Sequence, residues 1–130
     1  VGIHGMIMSL PDGYETNIGD DGCRLSGGQR QRIGLARAIY DTPRFIVLDE
    51  PNSSLDEAGE RSLVQTLLSL KAQGSTIIVI THRTSVLVAV DNLLLLTDGQ
   101  VKAYGPRDEV LAALQRGPQQ AVAAPQPVAA

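Results

Sequence analysis

Two short apolar runs flank an amphipathic stretch near the middle of the chain. Residues 45–48 and 76–81 are continuous and rich in β-branched residues, a pattern typical of parallel strands that are covered on both faces. Between them, residues 58–72 predict a helix that stops at Gly74. Its predicted buried positions are Leu63, Leu67 and Leu70. This strand, helix and strand order predicts an α/β layer with a parallel sheet.

Turn and capping signals mark the elements before this unit. Residues 1–10 predict the end of a helix, which Pro11 and Gly13 interrupt. Ser26 begins an S-x-x-Q capping box that Gln29 completes, so a second helix is expected to start here. Its predicted apolar stripe is Ile33, Ala36 and Tyr40, and Pro43 marks its predicted end.

The carboxyl-terminal part predicts a hairpin and a last helix. A short helical segment is expected at residues 84–90, followed by strands at 93–97 and 100–104 around an Asp98-Gly99 type I′ turn. Pro106 opens an amphipathic helix. Residues 117–130 contain mostly Gln, Pro, Ala and Val without periodicity, so a disordered tail is expected there.

Composition narrows the class of protein. The 130 residues fit one globular unit, and no apolar run approaches the roughly 20 residues that span a bilayer. The single Cys23 excludes an internal disulfide and favours a reducing compartment. A net charge of −3 gives no general attraction for nucleic acid, so no nucleic-acid partner is expected. The chain starts at Val1 inside a predicted element, and we expect it to be a segment of a longer protein whose membrane part lies upstream.

Polar residues follow both predicted strands. Asp49 and Glu50 follow the first strand and His82 follows the second, which puts all three at the edge of an α/β sheet where ligands bind. A phosphoryl-transfer site needs a carboxylate for Mg²⁺ and a group that orients the attacking water. A solvated acidic strand end and a structural histidine remain the simpler alternative for each residue taken alone.

The glycine-rich segment before the second helix suggests an anion site. Gly27 and Gly28 allow close approach of the backbone, and the helix capped by Ser26 directs its amides and positive dipole end outward. A capped helix without a ligand is the alternative. The chain has no G-x-x-x-x-G-K-[ST] loop, and its only lysines, Lys71 and Lys102, lie in other contexts. The residues therefore supply half of a phosphate-handling site.

Four linked motifs resemble those of ABC-type ATPases. L-S-G-G-Q at 25–29 resembles the signature motif, and F-I-V-L-D-E at 45–50 resembles the Walker B strand. Residues 51–56 resemble the D-loop, and T-H-R at 81–83 resembles the H-loop. The resemblance implies a partial P-loop NTPase fold with a mostly parallel sheet, flanking helices and a carboxyl-terminal hairpin and helix. It assigns residues 1–24 to the end of the helical subdomain with an exporter-type loop, and 25–116 to the carboxyl-terminal half of the ATPase domain.

The resemblance also implies roles for single residues. Asp49 would help to hold Mg²⁺, Glu50 would polarise the attacking water, and His82 would contact the γ-phosphate of ATP. In a head-to-tail homodimer the signature motif would contact ATP that the opposite domain holds. The residues concerned are Ser26, Gly27, Gly28 and Gln29. Asp56 would couple the two sites across that interface.

Further resemblances point to exporters. Residues 10–22 resemble the loop that precedes the signature in ABC exporters and meets the membrane domain, with Thr16 and Asp20 at the positions that usually carry Thr and Glu. Residues 50–53, 56–60 and 105–111 resemble type I secretion ATPases that export proteases. This implies a subunit of the inner membrane with its ATPase domain on the cytoplasmic side. The implied partners are its own transmembrane domain, a membrane-fusion protein and an outer-membrane channel.

Three alternatives stay open at this stage. The first is an exporter of lipids, drugs or peptides, and the second is an ABC-type ATPase of DNA maintenance, which the lack of sustained heptads before Leu25 disfavours. The third is a noncatalytic half-domain. Without a Walker A lysine, the segment alone is expected to be inactive as an ATPase.

Overall fold

A computed structural model describes residues 1–116, which form two compact units, Val1–Val88 and a second unit that begins at Ala89. The first unit contains α1 (His4–Met8), α2 (Gly27–Ala38), β1 (Phe45–Asp49), α3 (Glu57–Ala72) and β2 (Thr76–Ile80). Short 3₁₀ turns occupy Gly13–Glu15 and Asp20–Gly22, and a longer one follows at Thr84–Ala89. The predicted tail lies outside the described residues.

The capping box predicted for α2 is confirmed. The Gln29 N–H donates to Ser26 Oγ at 3.2 Å, and the Ser26 N–H donates to Gln29 Oε1 at 2.8 Å. The helix ends at Ala38, earlier than Pro43 predicts, because the chain leaves it through left-handed residues at 41 and 42. The predicted apolar stripe is wrong at Tyr40, which is 83% exposed and lies beyond the last helical residue.

The buried face of α3 follows the predicted spacing. Leu63, Leu67 and Leu70 are 1%, 2% and 4% exposed. Gly74 follows the helix with φ at 88°, the left-handed conformation that favours glycine in a helix stop. The Gly74 N–H donates to the Lys71 carbonyl at 3.0 Å, so this carbonyl in the last turn of α3 has a hydrogen-bond partner although the helix does not continue.

Strands β1 and β2 form a parallel pair, with Phe45 opposite Thr76 and Asp49 opposite Ile80. The prediction that both faces are covered is wrong for the described part of the chain. Ile46 and Leu48 are buried, whereas the alternate face of the pair is exposed. That exposed face consists of Phe45, Val47, Ile78 and Ile80. Helix α3 contacts β2, and no second helix within residues 1–88 covers the exposed face.

The second unit is the predicted hairpin followed by a helix. Strand β3 (Asn92–Thr97) pairs antiparallel with β4 (Gln100–Pro106), and α4 covers Arg107–Gln115. Asp98 and Gly99 have φ of 50° and 72°, which agrees with the predicted type I′ turn because both central residues are left-handed. No helix among residues 1–116 is long and apolar enough to span a bilayer.

Candidate functional site

Glu50 leaves β1 in an unusual backbone conformation. Its φ is 46°, a left-handed value that costs a non-glycine residue on the order of 1–3 kcal/mol. Its N–H donates to the Ile80 carbonyl at 2.8 Å, and its carbonyl accepts from Gln31 Nε2 at 2.7 Å. The surrounding segments therefore hold Glu50 in place from both sides of its backbone.

The Glu50 carboxylate meets His82 at the carboxyl edge of the two parallel strands. Glu50 Oε1 lies 2.8 Å from His82 Nδ1, and the side chains are 35% and 76% exposed, respectively. Oε2 of Glu50 is buried and accepts no hydrogen bond from the described residues. A buried polar atom without a protein partner usually contacts water or a ligand. The topology that the sequence predicts thus brings these two candidate residues together.

Asp49 is the last residue of β1, and its side chain is exposed. Among residues 1–116, no group of three or more His, Cys, Asp and Glu side chains is arranged to hold a metal ion. Protein sites for Mg²⁺ commonly supply only one or two carboxylates and leave the other ligands to phosphates and water. Asp49 fits that pattern as a single exposed carboxylate beside the Glu50 site.

The segments that carry Glu50 and His82 are joined by a buried amide. Asn52 is 0% exposed, and its Oδ1 accepts from Thr81 Oγ1 at 3.0 Å. Its Nδ2 donates to Ser85 Oγ at 3.2 Å. Because Thr81 and Ser85 lie on either side of His82, one side chain fixes both ends of the histidine loop.

An ion pair forms a second link between the same segments. Arg83 donates to Glu60 Oε1 on α3 at 2.7 Å and to the Ser53 carbonyl at 3.2 Å. The hydrogen bond from Arg83, with a further one from Ser85, holds the pKa of Glu60 below its usual value. Arg83 thus connects the residue after His82 to both α3 and the turn after Glu50.

The amino-terminal end of α2 packs against residue 54. A Cβ added to Gly28 would lie 2.6 Å from the Ser54 carbonyl oxygen, so only glycine permits this approach. The Ser54 N–H also donates to Gln31 Oε1 at 3.0 Å. The side chains of Ser26 and Gln29 are used in the capping box. The candidate nucleotide-binding segment is therefore in direct contact with the turn that follows Glu50.

The remaining candidate residues have local contacts. Asp56 caps α3, because its carboxylate accepts from the Gly59 N–H at 2.7 Å. Thr16 Oγ1 accepts from the Asp12 N–H at 3.1 Å. Asp20 is exposed and begins a 3₁₀ turn. The inter-domain roles expected for Asp56, Thr16 and Asp20 stay predictions.

The sequence did not predict the contacts that three residues make within the site. Gln31, Asn52 and Arg83 carry most of the side-chain links between its segments. One signal was available for Gln31, since it lies three residues after Gly28 and so shares a helix face with it. No local pattern indicates that Asn52 is buried, because its two partners come from a segment about thirty positions away.

Comparison with known proteins gives consistent results. A family model described as ABC transporter matches residues 6–53. The type I secretion system ATP-binding protein PrsD of Rhizobium meliloti (strain 1021) is 48% identical over 118 residues, which cover 91% of this chain and 20% of PrsD. The ABC multidrug transporter atrD of Emericella nidulans is 44% identical over 108 residues, which cover 83% of this chain and 8% of atrD.

A solved structure agrees with these matches. The ATP-bound structure of a bacterial Atm1-family ABC exporter superposes with a TM-score of 0.77 at 34% identity, over 90% of this chain and 20% of the exporter chain. The chain thus spans a fifth or less of the length of each of these relatives.

Proposed function

Because the chain belongs to the ABC transporter ATPases, we propose that it supplies the catalytic carboxylate of an exporter subunit that hydrolyses ATP to drive transport. The observation that carries this proposal is the Glu50 carboxylate. One of its oxygens is bound by His82 at 2.8 Å, and the other is buried without a partner among the described residues. The contact with His82 holds the carboxylate at the edge of the parallel strands where ligands bind in α/β sheets.

In the proposed reaction Glu50 orients and polarises the water that attacks the γ-phosphate. The contact with His82 fixes the orientation of the carboxylate that would accept a hydrogen bond from this water. An ionised carboxylate only accepts hydrogen bonds, and His82 Nδ1 must therefore carry the proton in this contact. His82 can also donate to a phosphate oxygen through Nε2 when its imidazole is doubly protonated.

The substrate and its cation would be held by neighbouring residues. Asp49 is the residue we assign to Mg²⁺, which neutralises charge on the phosphates when it is bound. At the start of α2, the amides of Gly27 and Gly28 and the hydroxyl proton of Ser26 can donate to an anion. The Gln29 side chain already accepts a hydrogen bond from the Ser26 N–H, so its proposed contribution is to stabilise the backbone conformation of this segment.

We assign the full protein to type I protein secretion. PrsD is a type I secretion protein, and residues 50–53 of this chain resemble the corresponding segment of type I secretion ATPases that export proteases. The proposed assembly is a head-to-tail homodimer in the inner membrane, with this domain on the cytoplasmic side. Asp56 would act at the dimer interface, and Thr16 and Asp20 would act where the domain meets its transmembrane part. A membrane-fusion protein and an outer-membrane channel would complete the assembly.

Export of drugs is the second candidate function, because atrD is a multidrug transporter.

Substitution of Glu50 tests the catalytic proposal. In the full-length protein, Glu50→Gln keeps the size of the side chain but removes its charge, and we expect ATP turnover to fall about 10²-fold or more. ATP affinity should change little, because the proposed role is in the reaction step. The matched control is Glu57→Gln on the exposed surface of α3, which should keep full turnover. Full turnover in the Glu50 variant would remove this residue from the proposed role.

A further inference from the structure

The Gln31 side chain on α2 hydrogen-bonds to both the Glu50 backbone and the turn that follows it. Its Nε2 donates to the Glu50 carbonyl at 2.7 Å and to Ser53 Oγ at 3.0 Å. Its Oε1 accepts from the Ser54 N–H at 3.0 Å. Both ends of one amide are therefore engaged with a segment that lies about twenty positions away in the sequence.

The contact with Glu50 bears on the conformation of the candidate catalytic residue. The φ of 46° at Glu50 sets the direction in which its side chain leaves the backbone. The hydrogen bond to Ile80 holds the N–H side of this residue, and the bond from Gln31 holds the carbonyl side. The Glu50 carbonyl also accepts from the Ser53 N–H at 3.1 Å, but that donor lies in the same turn and can move with it. Gln31 is the side chain that ties this carbonyl to α2, and its loss would leave the carbonyl less restrained against relaxation to a more common backbone conformation.

We propose that Gln31 is a positioning residue for Glu50, which it holds in the left-handed conformation that points the carboxylate at His82. The inference rests on the proposed role of Glu50 in ATP hydrolysis. It also gives a physical link between two motifs, since the same helix carries Gly28 against the Ser54 carbonyl. A displacement of the amino-terminal part of α2 would act on the Glu50 backbone through the Gln31 amide.

The chemistry of the three contacts requires an amide. A methionine of similar length can neither donate nor accept these bonds, and a glutamate can accept from the Ser54 N–H but has no donor for the Glu50 carbonyl. Gln31→Met therefore removes the whole link, whereas Gln31→Glu removes only the half that touches Glu50. Gln65→Met is the matched control, because Gln65 is an exposed glutamine on α3.

The test is single-turnover ATP hydrolysis by the full-length protein. We expect Gln31→Met to lower the rate of the hydrolysis step about tenfold to a hundredfold, in line with the effect of small misplacements of catalytic groups. ATP affinity should stay within about twofold, and Gln65→Met should behave as wild type. In a Glu50→Gln background the same Gln31→Met change should have no further effect on rate, because the carboxylate it positions is already gone. If Gln31→Met does not fold, Gln31→Glu is expected to show the same rate loss.

Several results would overturn the inference. They are an unchanged rate in both Gln31 variants, a loss confined to ATP affinity, or an equal further loss when Glu50 is already substituted. These outcomes differ from failure of the proposed function. If Glu50→Gln alone keeps full turnover, the role of Glu50 is wrong. If Glu50→Gln is impaired and the Gln31 variants are not, only the positioning role is wrong.

Discussion

Several side chains near Glu50 each bind more than one segment of the chain. The amides of Gln31 and Asn52 use both their donor and their acceptor, and the guanidinium of Arg83 reaches two segments. Such side chains are hard to replace, because removing one of them leaves several buried donors and acceptors on other segments without a hydrogen-bond partner. The site geometry therefore depends on a few polar residues that do not themselves take part in the proposed chemistry.

The ion pair between Arg83 and Glu60 leads to a prediction about acid stability. The folded-state pKa of Glu60 lies below its ordinary value of 4.5, so the unfolded chain binds the proton more readily. The stabilisation is thus fully present above that ordinary value and is lost as the pH falls through the lowered folded-state pKa. We expect Glu60→Gln to reduce the free energy of unfolding at pH 7 by about 0.5–1 kcal/mol, a modest amount because the pair is partly exposed.

Urea unfolding of the chain at several pH values measures this effect. The difference between wild type and Glu60→Gln should shrink at the acid end of the range. Glu57→Gln is the control, because its partner Arg61 lies on the open surface of α3 and little change is expected. A difference that is constant from neutral to acid pH would show that the charge of Glu60 is not its cause.

At the level of elements, the start of α3 depends on Asp56. Its carboxylate accepts from the Gly59 N–H, which is otherwise an unsatisfied donor in the first turn. We expect Asp56→Ala to lower the free energy of unfolding by about 1 kcal/mol, whereas Asp56→Asn should retain most of it. Urea unfolding of the two variants checks this. Equal stability of the alanine variant and wild type would mean that the cap contributes nothing, and Asp56 would then be left with its proposed interface role alone.

Elements with local signals were predictable from the sequence. The α2 capping box, the leucine face of α3 and the Asp98-Gly99 turn each follow from residues that are near one another in the chain. The position of Glu50 and His82 also followed, because parallel strands carry their carboxyl ends to the same edge.

Features that depend on distant segments were not predictable. The apolar pattern of β1 and β2 predicts cover on both faces, but cover depends on which other elements are present, and residues 1–88 provide it on one face only. The same reason applies to Asn52 and Arg83. A polar residue in a turn gives no local sign of whether it is solvated or bound to a segment that arrives thirty positions later.

For the whole molecule, the exposed face of β1 and β2 is the feature with the largest physical consequence. Phe45, Val47, Ile78 and Ile80 are 59%, 52%, 47% and 52% exposed, and they lie side by side on two paired strands. A contiguous apolar surface of this kind is a site of protein contact. Since the chain spans about a fifth of PrsD, we expect other parts of the full protein to cover this face.

The isolated 130-residue chain should therefore self-associate through this face. Val47 and Ile78 are direct neighbours across the two strands, so the double substitution Val47→Thr with Ile78→Thr makes the centre of the face polar. Threonine keeps the preference for β structure, and folding should be little affected.

Size-exclusion chromatography with light scattering measures the association. We expect wild type to form oligomers whose size grows with protein concentration, and the double variant to shift strongly toward monomer. Leu94→Thr, an equally exposed position on the hairpin, is the control and should associate as wild type does. A monomeric wild type at high concentration, or an equal effect of the Leu94 variant, would show that the β1 and β2 face does not drive association.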